Sequence, residues 1–449
     1  MQRPPNVLWL FCDQLRYHAL SCSGDPNVRT PNLDRLAAEG TRFTTAVTNC
    51  PVCTPARAGV MTGMHCSATG VRFLGDLLPT DQRTVAHAFR EAGYRTSYVG
   101  KWHLASVQGA HGTNEGEDYW VHPLLRGGFE DWFGFEVSNN FYVTRYSTGD
   151  RIWPPSVLEG YQTDALTDLS LEYLAQTADG LDQPWFHVLS VEAPHHGRDE
   201  KGTVRHPAPP EYEAQFRPED LTLRTNVPEE AERKARKMLA QYYAQIANLD
   251  ENIGRVLDWL EESGHADDTL VCFFSDHGEK GGSHGGFNKE HIWDEAALVP
   301  MIVRLPGVVR AGQVVEDPFS LVDLFPTTAG LCGVPVPPEV QGVDWSNVLA
   351  SVDATPPRTA ALVQWLGPAR YGFGDHLWRG IRTRTATYAV ADRPELCLLY
   401  DNVADPFQMQ NLFGRPESRA LQREMHARLR REILCAGEFV PDFVSTAMD

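Results

Sequence analysis

The chain has 449 residues, with 40 basic against 59 acidic side chains and a formal charge of −19. An apolar share of 42% and a charged share of 22% are those of ordinary globular proteins, which excludes a fibrous, collagenous or largely disordered chain. The acidic balance, with no Lys/Arg-rich run, argues against a nucleic-acid binder, which needs a basic footprint. In chain order, strands are expected at Asn6–Phe11, Arg95–Val99, Trp185–Val191, Thr269–Phe274 and Leu298–Val303. Their Val, Leu, Ile, Trp and Phe content suits strands buried on both faces. Helices fall between them. Asn32–Glu39 and Thr84–Ala92 each stop at a glycine, and a long amphipathic segment runs from about Pro228, placed in the first turn, to Ser263. The alternation of strands and helices is the signature of an α/β fold with a mostly parallel sheet.

Val107–Arg126 and His195–Asn226 are expected to be long loops near a site. Beyond Pro335-Val336-Pro337-Pro338 the character changes. Arg379–Val390 and Leu396–Tyr400 read as short antiparallel strands, followed by a charged helix at about Pro416–Leu434. The expected division is a catalytic domain over 1–335 and a smaller α+β subdomain over 336–449. No apolar stretch approaches the ~20 residues that span a bilayer. Val7–Phe11 is too short for a signal-peptide core, so a cytoplasmic protein with no membrane partner is expected.

In open α/β sheets, ligands bind beyond the carboxyl ends of the strands. Asp13-Gln14 come directly after the first strand, Lys101-Trp102-His103 after the second, His195-His196 after the third and Ser275-Asp276-His277-Gly278 after the fourth. Asp13, Asp276 and His277 with the Gln14 amide oxygen form a candidate divalent-cation site. Two carboxylates and an amide favour Ca²⁺ or Mg²⁺, while the imidazole also suits Mn²⁺ or Zn²⁺. An acid in such a place equally serves as a helix or turn cap.

Nine cysteines, five of them within the first 66 residues, make an odd count that fits reduced thiols better than a disulfide framework. Cys50 and Cys53 stand as CxxC, a spacing open to a redox pair or half a zinc site. Pro55 belongs in the first turn of a helix, expected over Arg57–Met61, and puts Cys53 near its amino end. There free N–H groups attract anions and lower a thiol pKa. Arg57, one turn on, can present a two-pronged donor to an oxyanion. Lys289 sits in a glycine-rich approach to the same edge. Trp102, Trp120, Trp132 and Trp153 are candidates for stacking on a substrate ring, with a core position the commoner fate of each.

Cys53-Thr54-Pro55-Ala56-Arg57 resembles the C-x-P-x-R core of type I sulfatases, members of the alkaline phosphatase superfamily. The likeness extends through Asn6-Val7-Leu8 with Asp13, Thr30–Ala37, Gly100–Leu104, Ser275–Glu279 and Leu398–Pro406. This resemblance implies an alkaline-phosphatase-like fold: a large mixed, mostly parallel sheet between helices, with a small C-terminal antiparallel sheet. It implies that Cys53 is oxidised to formylglycine by a formylglycine-generating enzyme, and that Asp13, Gln14, Asp276 and His277 hold a cation, usually Ca²⁺. It further implies that Arg57 and Lys101 stabilise the hydrate and the sulfate charge. His103 would be the base that breaks down the sulfated intermediate. His195 and Lys289 would contact sulfate, one of them protonating the leaving alcohol. The expected substrate is a small or oligosaccharide sulfate ester. Gln14, where many sulfatases carry a second Asp, also resembles phosphonate monoester and phosphodiester hydrolases, which are the alternative. A non-catalytic binder of sulfated ligands is the second alternative.

Overall fold

A computed structural model describes residues 4–105, 120–149, 155–180, 183–367 and 376–447. Its centre is a strand, β1 (Asn6–Cys12), of which every residue is buried. Alternation sends Val7, Trp9 and Phe11 to one face of the sheet and Leu8, Leu10 and Cys12 to the other. β2 (Arg95–Lys101), β3 (Trp185–Ser190) and β4 (Thr269–Ser275) run parallel to β1 in the spatial order β4-β1-β3-β2. The register sets Cys12 against Ser275, Phe11 against Ser190, and Gly100 against Ser190. The four strands therefore finish level, and the residues just past them gather at one edge. Gly100 is required there: its φ is +106°, and a Cβ would lie 1.9 Å from the Ser190 carbonyl oxygen.

The sheet extends to ten strands. Asp131–Phe135, Thr144–Thr148 and Ser156–Leu158 lie beyond β2, and β5 (Met301–Arg304), Thr41–Phe43 and Gln313–Val315 beyond β4. The pairs β4–β5 and Asp131–Phe135 with Thr144–Thr148 are antiparallel, so the sheet is mixed, with a parallel centre. The expected single strand Leu298–Val303 is broken at Pro300, which has no N–H for a ladder. Leu298–Val299 pairs instead with Ala46–Val47 in a separate small sheet. The supposed loop His195–Asn226 holds a hairpin, Gly197–Arg198 with Val204–Arg205, and short helical turns. Residues 107–119 of the other supposed loop, and Trp153, lie outside the described residues.

Helices cover both faces. α1 (Cys53–Thr62) packs on the side of Trp9 and Phe11. α2 (Glu229–Glu262) packs Tyr242, Ile246, Leu249, Ile253 and Val256 on the side of Leu8 and Leu10. Pro228 caps α2 from just outside instead of standing in its first turn. Asp250 of α2 accepts hydrogen bonds from the Asn32 and Leu33 backbone N–H groups at 3.1 and 2.9 Å, closing the start of Pro31–Glu39.

The C-terminal sheet is antiparallel: β6 (Ala360–Trp365), β7 (Trp378–Thr383), β8 (Ala386–Ala391) and β9 (Leu398–Asp401), in that order. α3 (Arg419–Cys435) packs Met425, Leu429 and Ile433 upon it. The same apolar cluster includes Val47, Cys50 and Val52, so this layer braces the chain that leads into Cys53. No helix among the described residues is long and apolar enough to cross a membrane.

Candidate active site

β1 delivers Asp13 and Gln14, both fully buried. Gln14 has a left-handed backbone, φ 65°, which turns the chain so that its N–H donates to Asp276 Oδ1 at 3.0 Å. Its side-chain Nε2 donates to Glu279 Oε2 at 2.5 Å. That bond fixes the amide, leaving Oε1 to accept from Lys289 Nζ at 2.9 Å. Glu279 is itself held by the Gly281 and Asn288 N–H groups, each at 2.8 Å.

α1 begins with Cys53, earlier than expected, after Val52 in an extended conformation. Arg57, one turn later, is completely buried. Its Nε donates to Asp276 Oδ2 at 3.0 Å, one terminal nitrogen to Asp13 Oδ2 at 3.1 Å, and the other to the Lys101 carbonyl at 2.9 Å and Ser190 Oγ at 3.1 Å. The guanidinium also lies 4.4 Å over the Phe11 ring. Lys101 Nζ is 2.9 Å from Asp13 Oδ2 and 3.5 Å from Glu192 Oε1.

Both carboxylates thus give one oxygen to a cation and turn the other elsewhere. Asp13 Oδ1 and Asp276 Oδ1 stand 3.7 and 3.6 Å from His277 Nε2, which is 3.1 Å from Cys53 Sγ. His277 Nδ1 lies 3.0 Å from the Gly278 carbonyl. An N–H there leaves Nε2 with a bare lone pair, the form in which imidazole binds metal. One donor atom from each of Asp13, Cys53, Asp276 and His277 falls within 4.8 Å of the others. Two carboxylate oxygens, an imidazole nitrogen and the pinned Gln14 oxygen make a donor set that fits a hard divalent cation.

Burial alone would raise the Asp13 carboxyl, but Lys101, Arg57 and Lys289 hold it well below the ordinary range. Burial lowers His277, and Asp276 and Asp13 only partly oppose this. The expectation of a lowered Cys53 thiol is overturned. Burial, reinforced by Asp13, pushes it up to about 12 despite its place at a helix start. Desolvation and an adjacent carboxylate outweigh the helix dipole.

A cleft of about 220 Å³ opens over this cluster, lined among others by Cys53, Lys101, His103, His195, Asn288, Lys289 and Glu290. Lys289 Nζ reaches Cys53 Sγ at 3.0 Å and His195 Nε2 at 3.2 Å. His195 Nδ1 is 2.6 Å from the His196 carbonyl, so the proton belongs there and Nε2 faces the lysine. Burial, then Lys289 and His196, keeps His195 well below its ordinary pKa and neutral. His103 sits on a left-handed backbone, φ 60°, with the next two N–H groups bonded to Glu136 at 3.2 and 2.9 Å. Five of the seven described non-glycine residues with positive φ belong to this region: Gln14, His103, Asn139, Asn288 and Glu290. Such conformations cost energy and concentrate where geometry serves function.

All ten site residues singled out in the sequence come together. Glu192, Glu279, Glu136 and Glu290 were missed as site residues. Glu192 stands two residues past β3 and Glu279 ends the Ser275–Glu279 segment past β4, so their positions at strand ends could have revealed both; Glu136 and Glu290 carry no such signal. Trp102 and Trp132 belong to the core, packed edge-on at 5.7 Å, and Trp120 is half-buried against His122 at 5.4 Å.

The sequence profile of the family described as Sulfatase matches residues 5–334. The chain belongs to the sulfatase family. A second profile, N-sulphoglucosamine sulphohydrolase C-terminal, matches residues 282–434. An ulvan-active sulfatase of Formosa agariphila is 36% identical over 97% of this chain and 82% of its own. An N-acetylglucosamine-6-O-sulfatase of Bacteroides thetaiotaomicron is 28% identical over 94% of this chain and 85% of its own. Among solved structures, the sulfatase YidJ of Bacteroides fragilis superposes with a TM-score of 0.88 at 26% identity, covering 100% of this chain and 98% of that one. This sulfatase is accordingly a sulfuric-ester hydrolase with an alkaline-phosphatase-like fold.

Proposed function

We propose that this sulfatase cleaves the sulfate ester of a sugar, using a formylglycine formed from Cys53 and a divalent cation, Ca²⁺ foremost, held by Asp13, Gln14, Asp276 and His277. The observation that carries the reading is Cys53 at the start of α1, facing both carboxylate Oδ1 atoms, His277 Nε2 and Lys289 Nζ. A hydrated aldehyde at position 53 would supply the nucleophile, and the cation would supply Lewis acidity. The chain's own groups supply the rest. Arg57 and Lys101 are fixed cations that stabilise charge spread over sulfate oxygens without reorganising. Lys289, its ammonium favoured against burial by the Asp13 and Asp276 carboxylates, is the donor at the cleft floor. Neutral His195 orients it through Nε2. His103, held by the Glu136-bound loop, is the base on the cleft wall. The sugar substrate is supported by the relatives whose names specify carbohydrate sulfates.

The test begins with protein made beside a formylglycine-generating enzyme and the mass of the tryptic peptide Phe43–Arg57 after thiol alkylation. The expected result is an aldehyde at position 53 with Cys50 alkylated, sulfate release from N-acetylglucosamine 6-sulfate, and faster 4-nitrophenol release from 4-nitrophenyl sulfate than from the matched aryl phosphonate ester. Two alkylated cysteines with no ester cleaved would overturn the reading.

A further inference from the structure

The catalytic cleft has a neighbour. A second cavity, about 380 Å³, shares His196 and Asn288 with it as common lining. The His196 ring stacks on catalytic His195 at 4.2 Å, so the shared wall stands directly beside the reacting groups. One side of the new chamber is α2, which presents Lys234 and Lys237. The opposite side is the hairpin strand Val204–Arg205, and Phe287 completes it. At about 220 Å³ the cleft alone is smaller than the ~300–1,000 Å³ usual for a small-molecule site, whereas the two cavities together fall inside that range.

The chamber is basic in a chain whose net charge is −19. Lys234 Nζ sits 3.9 Å over the Phe287 ring, which holds the ammonium at the rim. Lys237, three residues on, shares that helix face. Neither lysine pairs with a carboxylate among the described residues. Arg205 is fixed by Asp199 at 2.9 Å and Glu213 at 2.5 Å, so its charge is already met. Glu279 is the one carboxylate that lines the cavity, and it is bonded to three donors. The pair of lysines is left without a counter-charge.

We propose that this chamber binds a second anionic group of the substrate, sulfate or carboxylate, carried by the sugar unit next to the one whose ester is cleaved. The inference rests on the sugar-sulfatase reading above and narrows it to polyanionic oligosaccharides.

Binding and turnover test the two readings separately. Cys53→Ala protein is titrated calorimetrically with three disaccharides that share one sulfate ester. The neighbouring unit is uncharged in the first, sulfated in the second and carboxylated in the third. A second anion is expected to tighten binding roughly tenfold or more near 50 mM salt, with the advantage shrinking near 500 mM because the lysines are exposed. Lys234→Ala/Lys237→Ala in the same background is expected to erase the advantage and leave affinity for the singly charged disaccharide unchanged. Whichever of the two dianions binds tighter identifies the anion. Equal affinity for all three, no binding of any, or an equal loss for all three in the lysine variant would overturn the subsite. Mature enzyme carrying the two lysine substitutions is expected to hydrolyse 4-nitrophenyl sulfate as before. Absence of that hydrolysis in the unsubstituted mature enzyme counts against the sulfatase chemistry, while the titrations still decide the subsite.

Discussion

Two buried carboxylate–arginine contacts hold different parts of this molecule. Where the C-terminal sheet meets the main body, Asp294 receives Arg382 through both oxygens, each at 2.9 Å, and Gln408 adds a bond of 3.1 Å. At the strand ends, Arg57 lies between Asp13 and Asp276 and takes a single oxygen from each. The other oxygens face His277, and Asp13 Oδ1 also faces Cys53. Burial and ion pairing are common to both and do not separate a structural contact from a chemical one. The difference lies in where the second oxygens sit: Asp13 Oδ1 and Asp276 Oδ1, the latter also accepting the Gln14 and His277 N–H groups at 3.0 and 2.9 Å, converge on His277 Nε2, whereas both oxygens of Asp294 serve one guanidinium. A carboxylate whose two oxygens both serve one arginine can only hold; one that keeps an oxygen turned toward a common centre can also bind.

Removing each arginine in turn separates the two contacts. Arg57→Ala is expected to lower kcat/KM for 4-nitrophenyl sulfate by roughly 10³-fold or more, since a fixed cation on developing charge is lost. It is also expected to destabilise the fold by about 3–5 kcal/mol, because two buried carboxylates lose a partner. Arg382→Ala is expected to cost a similar ~3–5 kcal/mol through Asp294, while kcat per folded molecule stays within about twofold of wild type. Denaturant unfolding beside sulfate-release kinetics reads both. An equal fall of kcat in the two variants would mean that the C-terminal contact shapes the site after all.

The half of this contrast that belongs to the chemistry was largely legible in the sequence. Asp13, His195 and Asp276 each come after a strand with a plain apolar run, and level parallel strands deliver their ends, that of Arg95–Lys101 included, to one edge. Cys53 and Arg57 are one helical turn apart, so their common face needs no tertiary knowledge. Features that depend on distant partners were not legible. Thr144–Thr148 and Ser156–Leu158 are short, partly exposed strands that exist by pairing, not by an apolar pattern. Pro300 divides a strand that its apolar run presents as one. The left-handed turns at Gln14 and His103 fall on residues with no glycine to announce them. The basic chamber joins Arg205, Lys234 and Phe287 from three separate segments. The thiol expectation failed because helix position is local, whereas burial and the field of Asp13 are not.

Glu290 offers a finer test, because it lies four residues before Asp294 and has the opposite environment. Its Oε1 is buried with no hydrogen-bond partner among the described residues, and Lys280 Nζ approaches Oε2 only to 3.9 Å. Burial pushes the carboxyl up to about 7, with Lys280, Lys289 and His277 pulling it back and Glu279 adding to the rise. The unfolded chain would release that proton in the ordinary carboxylate range. A raised pKa in the folded state means that the group's contribution is fully present below the unfolded pKa and is lost as pH rises through about 7. Wild-type protein in EDTA is therefore expected to lose about 2 kcal/mol relative to Glu290→Gln between about pH 5 and about pH 8. Glutamine keeps the shape and cannot ionise, so other titrating groups cancel in the difference. A gap between the two proteins that does not change with pH would place Glu290 beside Asp294, as a carboxylate already satisfied by its cation.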